Sequence, residues 1–323
     1  MGTKSPTVDS ANQEGQLLQQ AVEFVIRKCG DAGGRKRPAT GIILGSGLGG
    51  LADQIHDPVV FSYGDIPGFG VSSAGGHRGE LILGAIEASP VIAMAGRFHR
   101  YEGWSNEQVA FPVKLMARLG ADRLIVSNAA GGVNPKFRVG DIVVIRDHLN
   151  FMGCCDFRGS GGLQTSDSQA DQKSRQLRIA PERQTKFDAA CPGLMRGGEI
   201  YDSELSRIAF QVGRRDRFNV YPGTYLATLG PNYETRSEYR MMRRIGADVA
   251  GMSTVPEVLA GSAAGMRILG LSMVSNVANP DQPTKADHSE VLEAGISAAV
   301  KLEGIVREVL SSRGRSENGS LHR

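Results

Sequence analysis

The chain has 323 residues, 41% of them hydrophobic, and its 37 Lys and Arg nearly balance 34 Asp and Glu, for a formal net charge of +3. That is enough apolar material for a sizeable core in one large or two modest domains, and the charge gives no electrostatic case for nucleic acid or a membrane surface. No apolar run is long enough to span a bilayer, and the polar residues 1–13 carry no signal-peptide core, so the sequence reads as a cytoplasmic protein.

In chain order, residues 1–13 read as a flexible tail and 17–29 as a helix. A buried strand at 40–44 leads into a glycine turn. Strands follow at 81–83 and 91–95, then a helix at 107–119, then strands at 123–127 and 141–145. The second half alternates: helix 203–212, strand 221–229, helix 236–245, strand 248–251, helix 256–264, strand 267–275 and helix 288–310, with a second flexible tail over 311–323. Thr235 with Glu238 forms a T-x-x-E capping box, and Asp287 with Glu290 a similar D-x-x-E start. This alternation argues for one α/β unit over 14–310 with a mainly parallel sheet. Residues 151–198 stand apart as polar, Gly/Ser/Gln-rich and without period, a long loop of the kind that serves as a lid or binding loop or is disordered. Cys29, Cys154, Cys155 and Cys191 form neither a disulfide framework nor a paired zinc motif, and the six histidines show no ligand spacing for a metal.

Gly45-Ser46-Gly47-Leu48-Gly49-Gly50 satisfies G-x-G-x-x-G after a strand, with Asp65 about twenty residues on, as a dinucleotide site and hence a dehydrogenase would require. Asp57-Pro58 and the glycine-rich stretch 63–76 do not continue as a second βα unit, so an anion cradle of backbone N–H groups and the Ser46 hydroxyl is the better reading. Downstream, Asn232-Tyr233-Glu234-Thr235 puts a carboxylate at one helix start, and Gly251-Met252-Ser253-Thr254-Val255-Pro256-Glu257 puts a Met-Ser pair before the next. A carboxylate can accept from a base-edge N–H, and a serine ahead of a Pro-initiated helix can hold an anion at its positive end. The pair suggests a pocket for a purine at one end and phosphate at the other.

These motifs, with Gly76-His77-Arg78-Gly79, Gly96-Arg97-Phe98-His99-Arg100-Tyr101-Glu102-Gly103, Asn128-Ala129-Ala130-Gly131-Gly132, Asp147-His148 and Asn276, follow one order. Over 17–310 the chain resembles the trimeric purine nucleoside phosphorylases. The resemblance implies a single-domain phosphorylase fold, an α/β class with a central mixed, partly barrel-like sheet flanked by helices, and a homotrimer. It implies a phosphate site of Ser46, Arg97, His99, the backbone of Ala129 and Ser253, with His77 close by. It gives Tyr101, Met252 and His288 to the ribose and Tyr233, Glu234 and Asn276 to the base.

The residue chemistry is consistent with those roles. Arg97 offers a planar fork for phosphate oxygens, and His99 and Tyr101 fall on its face if the segment is extended. Met252 gives a soft apolar surface for a sugar, and His288, in the first turn of a helix, is held neutral by the dipole. An ionised Glu234 only accepts hydrogen bonds, so it suits the N1–H of hypoxanthine or guanine and repels N1 of adenine. The expected activity is reversible phosphorolysis of purine nucleosides, with Asn276, Glu234 and His99 as catalytic groups, inorganic phosphate as co-substrate and no metal or other cofactor. Alternatives are a methylthioadenosine- or xanthosine-preferring phosphorylase and a purine-binding homologue with little turnover. The family's phenylalanine that reaches a neighbouring ribose site has two candidates here, Phe157 and Phe187.

Overall fold

The structure is a computed structural model that describes residues 8–29, 39–45, 49–70, 78–152, 198–278 and 288–319. Its strands are β1 (Thr40–Leu44), β2 (His56–Ser62), β3 (Glu80–Ile86), β4 (Ser89–Ala95), β5 (Arg123–Gly132), β6 (Ile142–Asn150), β7 (Val220–Ala227), β8 (Val249–Gly251) and β9 (Arg267–Val277). Its α-helices are α1 (Val8–Cys29), α2 (Asn106–Arg118), α3 (Ser203–Arg215), α4 (Arg236–Arg244), α5 (Val255–Ala263) and α6 (His288–Gly319).

One sheet runs in the order β2-β3-β4-β1-β5-β8-β7-β6-β9, and β9 pairs back onto β5, so its second half closes into a five-stranded barrel. The pairings β1–β4, β1–β5, β5–β9, β6–β7 and β7–β8 are parallel. Those of β2–β3, β3–β4, β5–β8 and β6–β9 are antiparallel. The sheet is therefore mixed, as the family resemblance implied, and not mainly parallel as the alternation alone suggested.

Side chains alternate across a strand, and β1 uses both faces. Ile43 packs with Ala21 and Val25 of α1 and Val109 and Val113 of α2. Ile42 and Leu44 pack with Leu302 and Ile305 of α6 on the other side. This is why β1 reads as an unbroken apolar run.

The strand β2 was not expected, because Asp57-Pro58 looked like an interruption. It is an outer strand that pairs only with β3, its register shifts between His56 and Val59, and most of its side chains are exposed. Proline is tolerated at such an edge, and the strand has little of the apolar signal that marks the others. Helix α1 begins at Val8, ahead of the expected 17, and α6 runs to Gly319, beyond the expected 310. Both extensions are polar and carry no apolar period to read. Helix starts were more legible: Thr235 accepts from the Glu238 N–H, and the Glu238 carboxylate accepts in return from the Thr235 N–H. Among the described residues no helix is long and apolar enough to cross a membrane.

Candidate active site

A cavity of about 280 Å³ opens where the ends of β5, β8 and β9 meet the segments after β4 and β7. That size lies near the lower end of small-molecule sites, roughly 300–1,000 Å³. Arg97, His99, Tyr101, Ala129, Tyr233, Glu234, Met252, Ser253 and Asn276 all line it. These nine expected residues come from five separate stretches of sequence and converge on one space. Ser46 and His77 lie outside the described residues, as do Asp287, Cys154, Cys155, Cys191, Phe157 and Phe187. His288 is the first residue of α6, and its side chain lies outside what is described.

At one end, Arg97 is 2% exposed. Its Nη1 donates to Ser253 Oγ at 2.8 Å and to Thr254 Oγ1 at 3.0 Å, and its Nη2 donates to the Ser127 carbonyl. Its Nε faces Glu257 Oε1 at 3.6 Å. The Arg97 fork is thus engaged by protein acceptors, and Arg97 brings positive charge to the cavity wall while orienting Ser253. Burial raises the Glu257 carboxyl above the usual carboxylate range, against the opposing pull of Arg97.

Ser253 lies just before α5, at the helix's positive end. Thr254 caps that helix with φ 75° and ψ −49°. The Val255 N–H reaches back to the Ser253 carbonyl at 2.8 Å, which makes Thr254 the centre of a strained γ-turn. The turn presents Ser253 to the cavity. Across from it, His99 Nδ1 lies 2.8 Å from Glu102 Oε1, and the same oxygen accepts the His99 N–H at 3.0 Å. The carboxylate thereby favours a proton on Nδ1 and fixes the ring. Tyr101 stacks on that ring at 4.6 Å, and burial pushes its hydroxyl up to about 12.

At the other end, Glu234 Oε1 accepts from Thr228 Oγ1 at 3.1 Å. Burial first, then the Glu234 charge and its hydrogen bond, raise the Tyr239 hydroxyl above its ordinary range, so Tyr239 stays a donor to the carboxylate. Asn276 Oδ1 accepts from Ser275 Oγ at 3.0 Å. Those two neighbours both line the cavity because the β5–β9 register shifts there: Ala130 pairs with Val274, but Gly131 pairs with Asn276. A bulge re-aims side chains in this way. Gly230, at φ 68°, closes the wall, since a Cβ there would stand 2.4 Å from Met252 Sδ and 3.2 Å from Tyr101 Cδ1.

The glycine turn is a different matter. A Cβ on Gly45 would meet the Ser127 carbonyl oxygen at 2.5 Å, so this glycine is needed for close packing on β5 and lines the cavity as bare backbone. Downstream of it lie a short 3-10 turn (Gly49–Gln54) and then β2 antiparallel to β3, not the long helix of a dinucleotide fold. Sequence reasoning gave no site role to Thr228, Tyr239, Asn128 or Ser275. Tyr239 had a readable signal, five positions beyond Glu234 near the start of the same helix.

A family model described as the phosphorylase superfamily matches residues 39–311. Purine nucleoside phosphorylase 1 of Bacillus subtilis is 46% identical over 258 residues, covering 79% of this chain and 85% of its own. Purine nucleoside phosphorylase of Rattus norvegicus is 39% identical over 282 residues, covering 86% of this chain and 90% of its own. A solved Schistosoma purine nucleoside phosphorylase in complex with hypoxanthine superposes with a TM-score of 0.74 at 32% identity, covering 94% of this chain and 98% of its own.

Proposed function

The chain belongs to the phosphorylase superfamily, and on that premise we propose that it catalyses reversible phosphorolysis of purine nucleosides, with 6-oxopurines preferred. Phosphate and a purine nucleoside give free base and pentose 1-phosphate. The observation that supports this best is the shared cavity: Ser253, His99 and buried Arg97 line the same space as Glu234 and Asn276.

The glycosidic bond stretches first, building positive charge on the sugar carbon and negative charge on the leaving purine. Phosphate held by Ser253, His99, the Ala129 backbone, Ser46 and His77, in the field of Arg97, faces the cationic carbon and bonds to it. Asn276 hydrogen-bonds the departing base on its N7 side, and Glu234, steadied by Thr228 and Tyr239, accepts from N1–H. Such preorganised contacts strengthen as charge develops. Met252, Tyr101 and His288 hold the sugar, and Tyr233 covers the base. Phosphate is co-substrate and no other cofactor takes part. Residues 14–310 act as one catalytic unit, in a cytoplasmic homotrimer whose neighbouring subunits cover the exposed Tyr101 and Tyr233.

The test is an initial-rate assay of inosine, guanosine, xanthosine and adenosine, with and without phosphate. Phosphate-dependent release of base from inosine and guanosine, with adenosine poor, is expected. Adenosine cleaved as well as inosine would remove Glu234 from base reading.

A further inference from the structure

The hydrogen bonds around Ser253 pass through a residue behind the cavity wall. Thr254 is 0% exposed. Its Oγ1 accepts from Arg97 Nη1 at 3.0 Å and from Asn128 Nδ2 at 2.8 Å. The guanidinium N–H only donates, and the Asn128 amide adds a second polar partner to the same hydroxyl. Ser253 Oγ lies 3.2 Å from the Thr254 hydroxyl, and either can donate to the other. Ser253 Oγ in turn accepts from Arg97 Nη1 at 2.8 Å. Its backbone N–H is held by Tyr225 Oη at 3.3 Å. The Ser253 hydroxyl also hydrogen-bonds the Tyr225 hydroxyl, and Ser253 lines the cavity.

We propose that Thr254 is a positioning residue for the anion site, holding the Ser253 hydroxyl in place for bound phosphate together with Arg97, Asn128 and Tyr225. A serine free to rotate would leave this position part of the time; the network restrains it. The same bonds hold Thr254 in its left-handed γ-turn, a conformation costly for a β-branched residue, so the strain at the turn is tied to the anion site. The inference rests on the phosphorolysis reading and adds to it a residue that need not touch substrate.

Thr254→Val keeps the β-branch and removes the hydroxyl. The Michaelis constant for phosphate is expected to rise about ten- to a hundred-fold, as for a lost hydrogen bond to a charged group, while that for inosine stays within about two-fold. Thr254→Ser should restore the wild-type phosphate constant. In a Ser253→Ala background, Thr254→Val should add less than about two-fold, because its effect runs through Ser253. Asn128→Leu, which strips Thr254 of a donor, should move the phosphate constant in the same direction and decides the matter if the valine variant does not fold. An unchanged phosphate constant, equal losses for both substrates, or full additivity with Ser253→Ala overturns the relay and leaves phosphorolysis standing. A wild-type enzyme that needs no phosphate overturns both.

Discussion

Replacing Tyr239 by Phe removes one hydroxyl from the wall and keeps the ring that fills it. The Glu234 carboxylate has two protein donors, Thr228 Oγ1 at 3.1 Å and the Tyr239 hydroxyl. A hydrogen bond to a charged group contributes about 1.5–3 kcal/mol. Tyr239 and Glu234 are both only partly buried, which screens the bond, so the lower figure applies. About 1.4 kcal/mol is a factor of ten, so kcat/KM for inosine at saturating phosphate should fall roughly tenfold. The loss should sit with the nucleoside, because Tyr239 is at the Glu234 end of the cavity and far in the network from Ser253. Stopped assays of hypoxanthine release, varying inosine and phosphate in turn, separate the two. Wild-type kcat/KM for inosine in Tyr239→Phe, or a tenfold change in the phosphate constant alone, would refute the reasoning.

Asn276→Ala should cut kcat on the order of 10²–10³ with little change in thermal midpoint, because it removes a donor that acts on charge formed in the transition state; wild-type turnover would remove it from that role. Gly230→Ala should destabilise the fold by about 1–2 kcal/mol through its left-handed backbone, and should raise the Michaelis constant for inosine by displacing Met252, both read by thermal denaturation and initial rates. Burial holds the His148 imidazole below its usual 6.5, with Asp147 pulling the other way. Because the folded value is depressed, this histidine's contribution is complete above its unfolded pKa and is lost as pH falls through the folded one. The wild type should therefore lose thermal stability relative to His148→Gln as pH drops from about 7 to about 5; parallel profiles would contradict this.

Much of the site was legible because its chemistry sits in contiguous words. Arg97, His99 and Tyr101 share one segment, Met252 and Ser253 another, and Glu234 stands at a helix start marked by the Thr235 capping box. The buried strands β1, β4, β5 and β9 declared themselves as apolar runs. What stayed hidden depends on register and on side-chain partners. Ser275 faces the cavity only because β9 is bulged against β5. Asn128 and Thr254 matter through bonds to each other across 126 positions of sequence. The partners of Arg97 were hidden for the same reason: the Ser253 and Thr254 hydroxyls and the Ser127 carbonyl lie far from it in sequence. β2 was missed because an exposed edge strand with a proline carries neither apolar run nor alternation.

A crystal structure of the protein with hypoxanthine and phosphate bound tests the shared cavity most directly. Phosphate should lie against Ser253 and His99, and hypoxanthine should meet Glu234 through N1–H and Asn276 on its N7 side, with space for a pentose between them over Met252. Phosphate and base in separate cavities, or a base turned away from Glu234 and Asn276, would contradict the account.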